Sequence, residues 1–129
     1  MSRVMRRGVW WSPAAIGPYS QAGRAGQFVF LSGVMTVDPA TNQLVEPDIT
    51  AQAQQIMKNI DALLRAAGCT AADVVKTTCF LSDIGNFAAF NEVYGRYFTG
   101  KPARSCVAVR DIPKGALVEV EVIAFGPDA

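Results

Sequence analysis

The sequence predicts an α+β fold, a mixed β-sheet with two helices over one face, and three observations carry that prediction. Two stretches place apolar residues at helical spacing. The stretches around them are β-branched and aromatic. Gly, Pro, Asp and Asn fall between the two kinds of segment. Half of the 129 residues are hydrophobic and 18% are charged, which is material enough for a core. The length suits a single domain over residues 1–129, and no repeat, low-complexity run or linker divides it.

Gln27 to Ser32 reads as a strand between Gly26 and Gly33, with at least one more strand expected from the N-terminal region. Val34 to Pro47, with Asp38-Pro39 and Thr41-Asn42, reads as a polar loop. Asp48 is the expected N-cap of a helix carrying Ile49, Ala53, Ile56, Met57, Ile60, Leu63, Leu64 and Ala67 on one face, and Gly68 stops it. Thr70-Ala-Ala-Asp73 has the pattern of a short capped turn, and Val74 to Leu81 that of a strand. A second helix spans about Asn86 to Phe98, where Phe87, Phe90, Tyr94 and Tyr97 keep helical spacing despite Gly95. Gly100-Lys-Pro102 ends it. Arg104 to Val109 and Leu117 to Ala124 are the last strands, joined by a turn containing Ile112-Pro-Lys-Gly115, for an order of the ββαβαββ kind.

Burial sets a further condition. Two helices cover one face of a sheet, yet the first strand is apolar on both, with Phe28 and Phe30 on one side and Val29 and Leu31 on the other. An open apolar face of several strands exceeds what monomers expose, so the sequence predicts an oligomer.

Composition excludes several functions. With 12 basic and 11 acidic side chains the net charge is +1, which gives no reason to expect nucleic acid or an anionic membrane as partner. The cluster Arg3, Arg6 and Arg7 reads as a solvated end. No apolar run is long enough to span a bilayer, and the first residues lack the pattern of a signal peptide. Cys69, Cys79 and Cys106 are widely spaced in apolar surroundings, as buried thiols of a reducing compartment are, and the expected location is the cytoplasm. There is no histidine, so Ser-His-Asp and Cys-His catalysis are impossible. No CxxC pair, GxGxxG or Walker loop offers a metal or phosphate site. Acid–base work must fall to carboxylates, tyrosine, lysine, water or the substrate.

Arg104 and Glu119 are the informative pair. Strand alternation groups Arg104 with Cys106 and Ala108, and Glu119 with Leu117 and Glu121. If the valine sets of both strands face the helices, Arg104 and Glu119 share the second face, on strands expected to be neighbours because a short turn joins them. Two readings follow. Either they form an ion pair at an interface, or Arg104 grips a substrate carboxylate while Glu119 orients a water.

Five segments bear on that choice: Pro13-Ala-Ala-Ile-Gly-Pro-Tyr-Ser-Gln21, Ser32-Gly33, Val75-Lys-Thr-Thr78, Pro102-Ala-Arg-Ser-Cys-Val107 and Pro113-Lys-Gly-Ala-Leu-Val-Glu-Val-Glu121. In content and order they resemble the RidA (YjgF) family, from about residue 13 to the C-terminus. The resemblance implies a chorismate-mutase-like single-domain fold assembled as a homotrimer, with sites in the clefts between subunits. It implies hydrolysis of reactive 2-imino or enamine acids, such as 2-aminoacrylate, to 2-keto acids and ammonia. By the same resemblance Arg104 binds the substrate carboxylate, Glu119 positions water, and Tyr19, Ser32, Gly33, Asn91 and Cys106 line the pocket. A protonated imine is already an activated electrophile, so no metal or cofactor is called for.

Each residue also has a plainer role open to it. Tyr19 can be a core aromatic, Gly33 a strand end, and Asn91 a polar residue on a helix flank. Cys106 is expected to contribute backbone and bulk, and Cys69 and Cys79 packing alone. Val34, Ala108, Trp10 and Trp11 depart from the family's pattern and bear on substrate preference. A non-catalytic protein that binds keto or amino acids is the alternative of a different class. An RNA-directed translation inhibitor is disfavoured by the near-neutral charge.

Overall fold

The computed structural model describes residues 2–5, by their backbone, and residues 19–126. Trp10, Trp11, Arg6, Arg7, the Arg3 side chain and the Pro13 to Pro18 part of the first motif lie outside the described residues. The chain order is β1 (Ser2–Met5), β2 (Ala22–Ala25), β3 (Phe28–Val34), β4 (Val37–Asp38), β5 (Gln43–Leu44), α1 (Ile49–Ala66), β6 (Val74–Leu81), α2 (Phe87–Tyr97), β7 (Ala103–Ala108) and β8 (Val118–Phe125).

The main sheet has the spatial order β1-β2-β3-β8-β6-β7, and β4 pairs with β5 in a small hairpin within the expected polar loop. Neighbours are antiparallel except β6 and β7, which run parallel and therefore need a crossover, supplied by α2. The sheet is mixed, as the α+β reading requires. One expectation fails here. β7 and β8 are consecutive in sequence but are not neighbours, because β6 pairs with both and lies between them.

Local chemistry sets the helix ends. The Asp48 side chain accepts from the Ala51 backbone N–H at 2.9 Å, as an N-cap should. Gly68 takes φ +79°, the left-handed conformation that lets a chain leave a helix at little cost. The capping box of Thr70 and Asp73 forms as the sequence indicates. The buried Arg24 on β2 donates to the Ala67 carbonyl at the end of α1, where a cation meets the negative end of the helix dipole.

Ile56, Met57, Ile60, Leu63 and Leu64 of α1 close over Val29, Leu31, Val118, Val120 and Val122, with Phe90 and Phe98 filling the α2 side. Each such side chain contributes about 1.5–3 kcal/mol through burial. The opposite face stays open: Phe28 (43% exposed), Phe30 (44%), Val107 (46%) and Phe125 (45%) form an apolar surface, and the Phe28 and Phe125 rings pack edge to face at 5.0 Å. That is the uncovered face anticipated from the two-sided strand. No helix among the described residues is long and apolar enough to cross a membrane.

Candidate functional site

Arg104 stands on β7, and the parallel register places it opposite Thr77 of β6, with Cys106 opposite Cys79. Thr77 and Cys79 are buried toward the helices, so Arg104 and Cys106 project to the helix side. Glu119 belongs to the other face, because Val118, Val120 and Val122 are the buried set of β8. The expectation that Arg104 and Glu119 share a face is therefore corrected. The β8 valines do face the helices, but Val107 of β7 faces away from them, so the valine sets of the two strands are not equivalent. Within one chain the pair is separated by β6 and by the thickness of the sheet, and no ion pair joins them.

The surroundings of Arg104 are built by α2. Its Nη1 donates to Asn91 Oδ1 at 2.6 Å, and the guanidinium lies over the Tyr94 ring at 4.7 Å and the Phe87 ring at 5.5 Å. Phe87, Asn91 and Tyr94 recur four and three residues apart, which puts them on one stripe of α2. Tyr94 is itself fixed: its hydroxyl shares a 2.7 Å hydrogen bond with Thr77 Oγ1, and burial raises its pKa. These contacts hold the guanidinium plane while neutralising none of its charge, since no carboxylate pairs with Arg104 among the described residues. A cavity of about 320 Å³ opens beside it, lined by Asn91, Tyr94, Phe98, Lys101, Pro102 and Arg104 with no acidic residue in the lining. The arrangement is a preoriented anion fork with a second cation at hand.

Cys106 flanks Arg104 and is half-buried. Burial raises its thiol pKa and pushes the neighbouring Cys79 up to about 12, so neither is an activated nucleophile. Cys69 is buried and its pKa is likewise raised by burial.

The second cluster forms where β3 meets β8. The pairing shifts register between Leu31 and Val34, a bulge that places both Ser32 and Gly33 against the stretch of β8 before Val122. Ser32 ties this bulge to the preceding turn: its N–H donates to the Gln21 carbonyl at 2.9 Å and its hydroxyl to the Ser20 carbonyl at 2.6 Å. Tyr19, 45% exposed, directly precedes the Ser20 that Ser32 holds. Gly33 is a fitted absence: a Cβ there would lie 2.6 Å from Glu119 Oε2. Glu119 is half-buried, and burial, with Glu121 two residues along, raises its carboxyl above its ordinary pKa. A carboxylate so placed is suited to accept a proton from water.

The structure thus brings Arg104 together with Asn91 and Cys106, and Glu119 with Gly33, Ser32 and, through the turn, Tyr19. It keeps the two groups apart. Sequence reasoning missed the rings beneath Arg104, because Phe87 and Tyr94 read as core residues. The available signal was Asn91, a polar residue set within their stripe. It missed Lys101 as well: Gly100 and Pro102 announce the turn in which Lys101 takes φ +53°, but not that this residue lines the cavity.

Comparison with known proteins agrees with this fold. The family model described as Endoribonuclease L-PSP matches residues 11–125. Protein DfrA of Myxococcus xanthus is 49% identical, covering 96% of this chain and 98% of its own. The 2-iminobutanoate/2-iminopropanoate deaminase of Mus musculus is 43% identical, covering 98% and 97%. The crystal structure of the Rid-family protein YyfA from Yersinia pestis superposes with a TM-score of 0.92 at 46% identity, covering 97% and 99%. The match runs through both clusters, and the chain belongs to the RidA (YjgF) family.

Proposed function

We propose that this protein hydrolyses 2-imino acids, and the enamines that tautomerise to them, to 2-keto acids and ammonia, at sites shared between subunits of a homotrimer. One observation carries the reading: Arg104 is held by a neutral amide and two rings, with no carboxylate pairing with it among the described residues. A planar, two-point cation of this kind suits a substrate carboxylate. The name of the mouse relative supports the chemistry.

The shared site follows from the two faces. Arg104 and Glu119 cannot act on one small molecule within a chain, so Glu119 must come from a neighbour, brought by association of the apolar face. Such an interface joins two different patches, and a head-to-tail contact of that kind makes a ring where its rotation closes. The family resemblance favours three members.

In the proposed reaction the carboxylate docks on Arg104 with Asn91 fixing the fork, and Tyr19, Ser32, Gly33 and Cys106 wall the pocket. Glu119 takes a proton from water as the oxygen bonds to the C=N carbon. The tetrahedral adduct of the protonated imine then receives that proton on nitrogen. As its hydroxyl gives its own proton to Glu119 the C–N bond breaks, leaving the keto acid, and the released ammonia carries the proton away as ammonium. Positioning and proton transfer are the demands on the protein, the latter worth about 10²–10⁴-fold. The chemistry requires no group that the sequence lacks.

The test is a panel of imino acids generated in situ from amino acids by an oxidase, with imine decay and ammonia release followed together. The proposal expects both to accelerate in proportion to enzyme. Tight binding of keto or amino acids without accelerated decay of any imine would overturn it.

A further inference from the structure

We infer that Gln52 and Asn59 of α1 are positioning residues for Glu119, an inference that rests on the reading of Glu119 as the water-orienting base. The buried face of α1 is apolar except at these positions, where Gln52 is 1% exposed and Asn59 0%. Gln52 Oε1 accepts from the Leu117 N–H at 2.9 Å, two residues before Glu119, and its Nε2 donates to the Glu46 carbonyl at 3.3 Å. Asn59 Nδ2 donates to the Met35 carbonyl at 3.0 Å and the Val37 carbonyl at 2.9 Å, on the segment that leaves Gly33. Gln55 sets the Asn59 amide by donating to its Oδ1 at 3.0 Å.

The bulge gives these contacts their significance. The β3–β8 register shifts between Leu31 and Val34, so the regular ladder does not by itself fix Gly33 against Glu119. The Glu119 carboxylate nonetheless lies so close to Gly33 that there is no room for a methyl group. Both strands are held just beyond the bulge, β3's exit by Asn59 and β8's entry by Gln52, from one rigid helix. The amides therefore transmit the position of α1 to the distance between the Glu119 carboxylate and the Ser32–Gly33 backbone. Arg104, held by α2, is outside their reach.

The test uses Gln52→Met and Asn59→Leu, which keep bulk and remove the hydrogen bonds, with Ile56→Val as a control that loosens the same helix face without touching a polar contact. Steady-state kinetics on an in situ imino acid should show kcat falling about tenfold in the amide variants. KM should change by less than about twofold, because the carboxylate fork is intact. The control should lose melting temperature and keep kcat. An unchanged kcat in the amide variants, or an equal loss in Ile56→Val, would overturn the inference. If either amide variant fails to fold, Gln55→Met, which removes only the bond that orients the Asn59 amide, decides by the same kcat and KM criteria. A wild-type protein inactive on every imino acid would instead remove the proposed function, so the two failures are distinguishable.

Discussion

Gly33 and Glu119 face each other across the β3–β8 pair with no space for a side chain at residue 33: the carboxylate oxygen lies 2.6 Å from where a Cβ would be. The glycine is required there by close approach, since its φ is not among the positive values. Gly33→Ala should leave the fold intact, because the obstructing atoms are the mobile end of Glu119. Displacing that carboxylate by about 1 Å should cost on the order of 100-fold in kcat. Kinetics with thermal melting of the same variant check this, and full activity would show that the contact is incidental.

Glu119 should impose an acid limb on the pH–rate profile above the ordinary carboxylate value of about 4.3. Burial is the larger cause of the raised pKa and Glu121 the second. Glu121→Gln should therefore move the limb to lower pH without abolishing it. The profile of log kcat/KM against pH for both proteins is the measurement.

The same shift has a stability consequence of definite sign. A carboxyl with a raised folded-state pKa binds its proton more tightly folded than unfolded, so stability is gained as pH falls through that pKa and the cost of ionisation persists above it. Glu119→Gln should remove the cost at neutral pH, raising the melting temperature while abolishing imine hydrolysis. A lower melting temperature at pH 7 would contradict this.

Arg104→Lys should not behave as a conservative change. Lysine keeps the charge but loses the planar fork, the bond to Asn91 and the stacking over Tyr94. A charge-assisted hydrogen bond is worth about 1.5–3 kcal/mol, so KM for the imino acid should rise about 10-fold or more. Arg104→Ala should abolish turnover and leave the assembly intact by size-exclusion chromatography.

Much of this was legible in the sequence, and the reason differs by element. α1 could be read to within a residue because Asp48, the apolar stripe and Gly68 all specify the same helix. The open apolar face was legible because Phe28 and Phe30 alternate with Val29 and Leu31. The strand order was not, because adjacency in sequence favours β7 beside β8, whereas the parallel β6–β7 pairing depends on how α2 packs. That error carried the faces with it. β7 is an edge strand with no fully buried position, its half-buried side carrying Arg104 and Cys106 and its exposed side Val107, so a valine there gave no reliable direction. Strand alternation singled out Arg104 and Glu119 as a pair and family resemblance chose between their two readings, whereas only the structure shows that they lie on opposite sides of the sheet. The roles of Gln52 and Asn59 were invisible for a simpler reason: the peptide groups they satisfy are distant in sequence.

The most direct measurement is complementation between two inactive proteins. Arg104→Ala and Glu119→Gln are mixed, dissociated and reassembled together, and imine hydrolysis is followed. If each site draws its arginine from one subunit and its glutamate from the next, random mixing restores about a quarter of the wild-type sites. A mixture as inactive as its components, with mixed assemblies confirmed by mass, would contradict a site built across the interface.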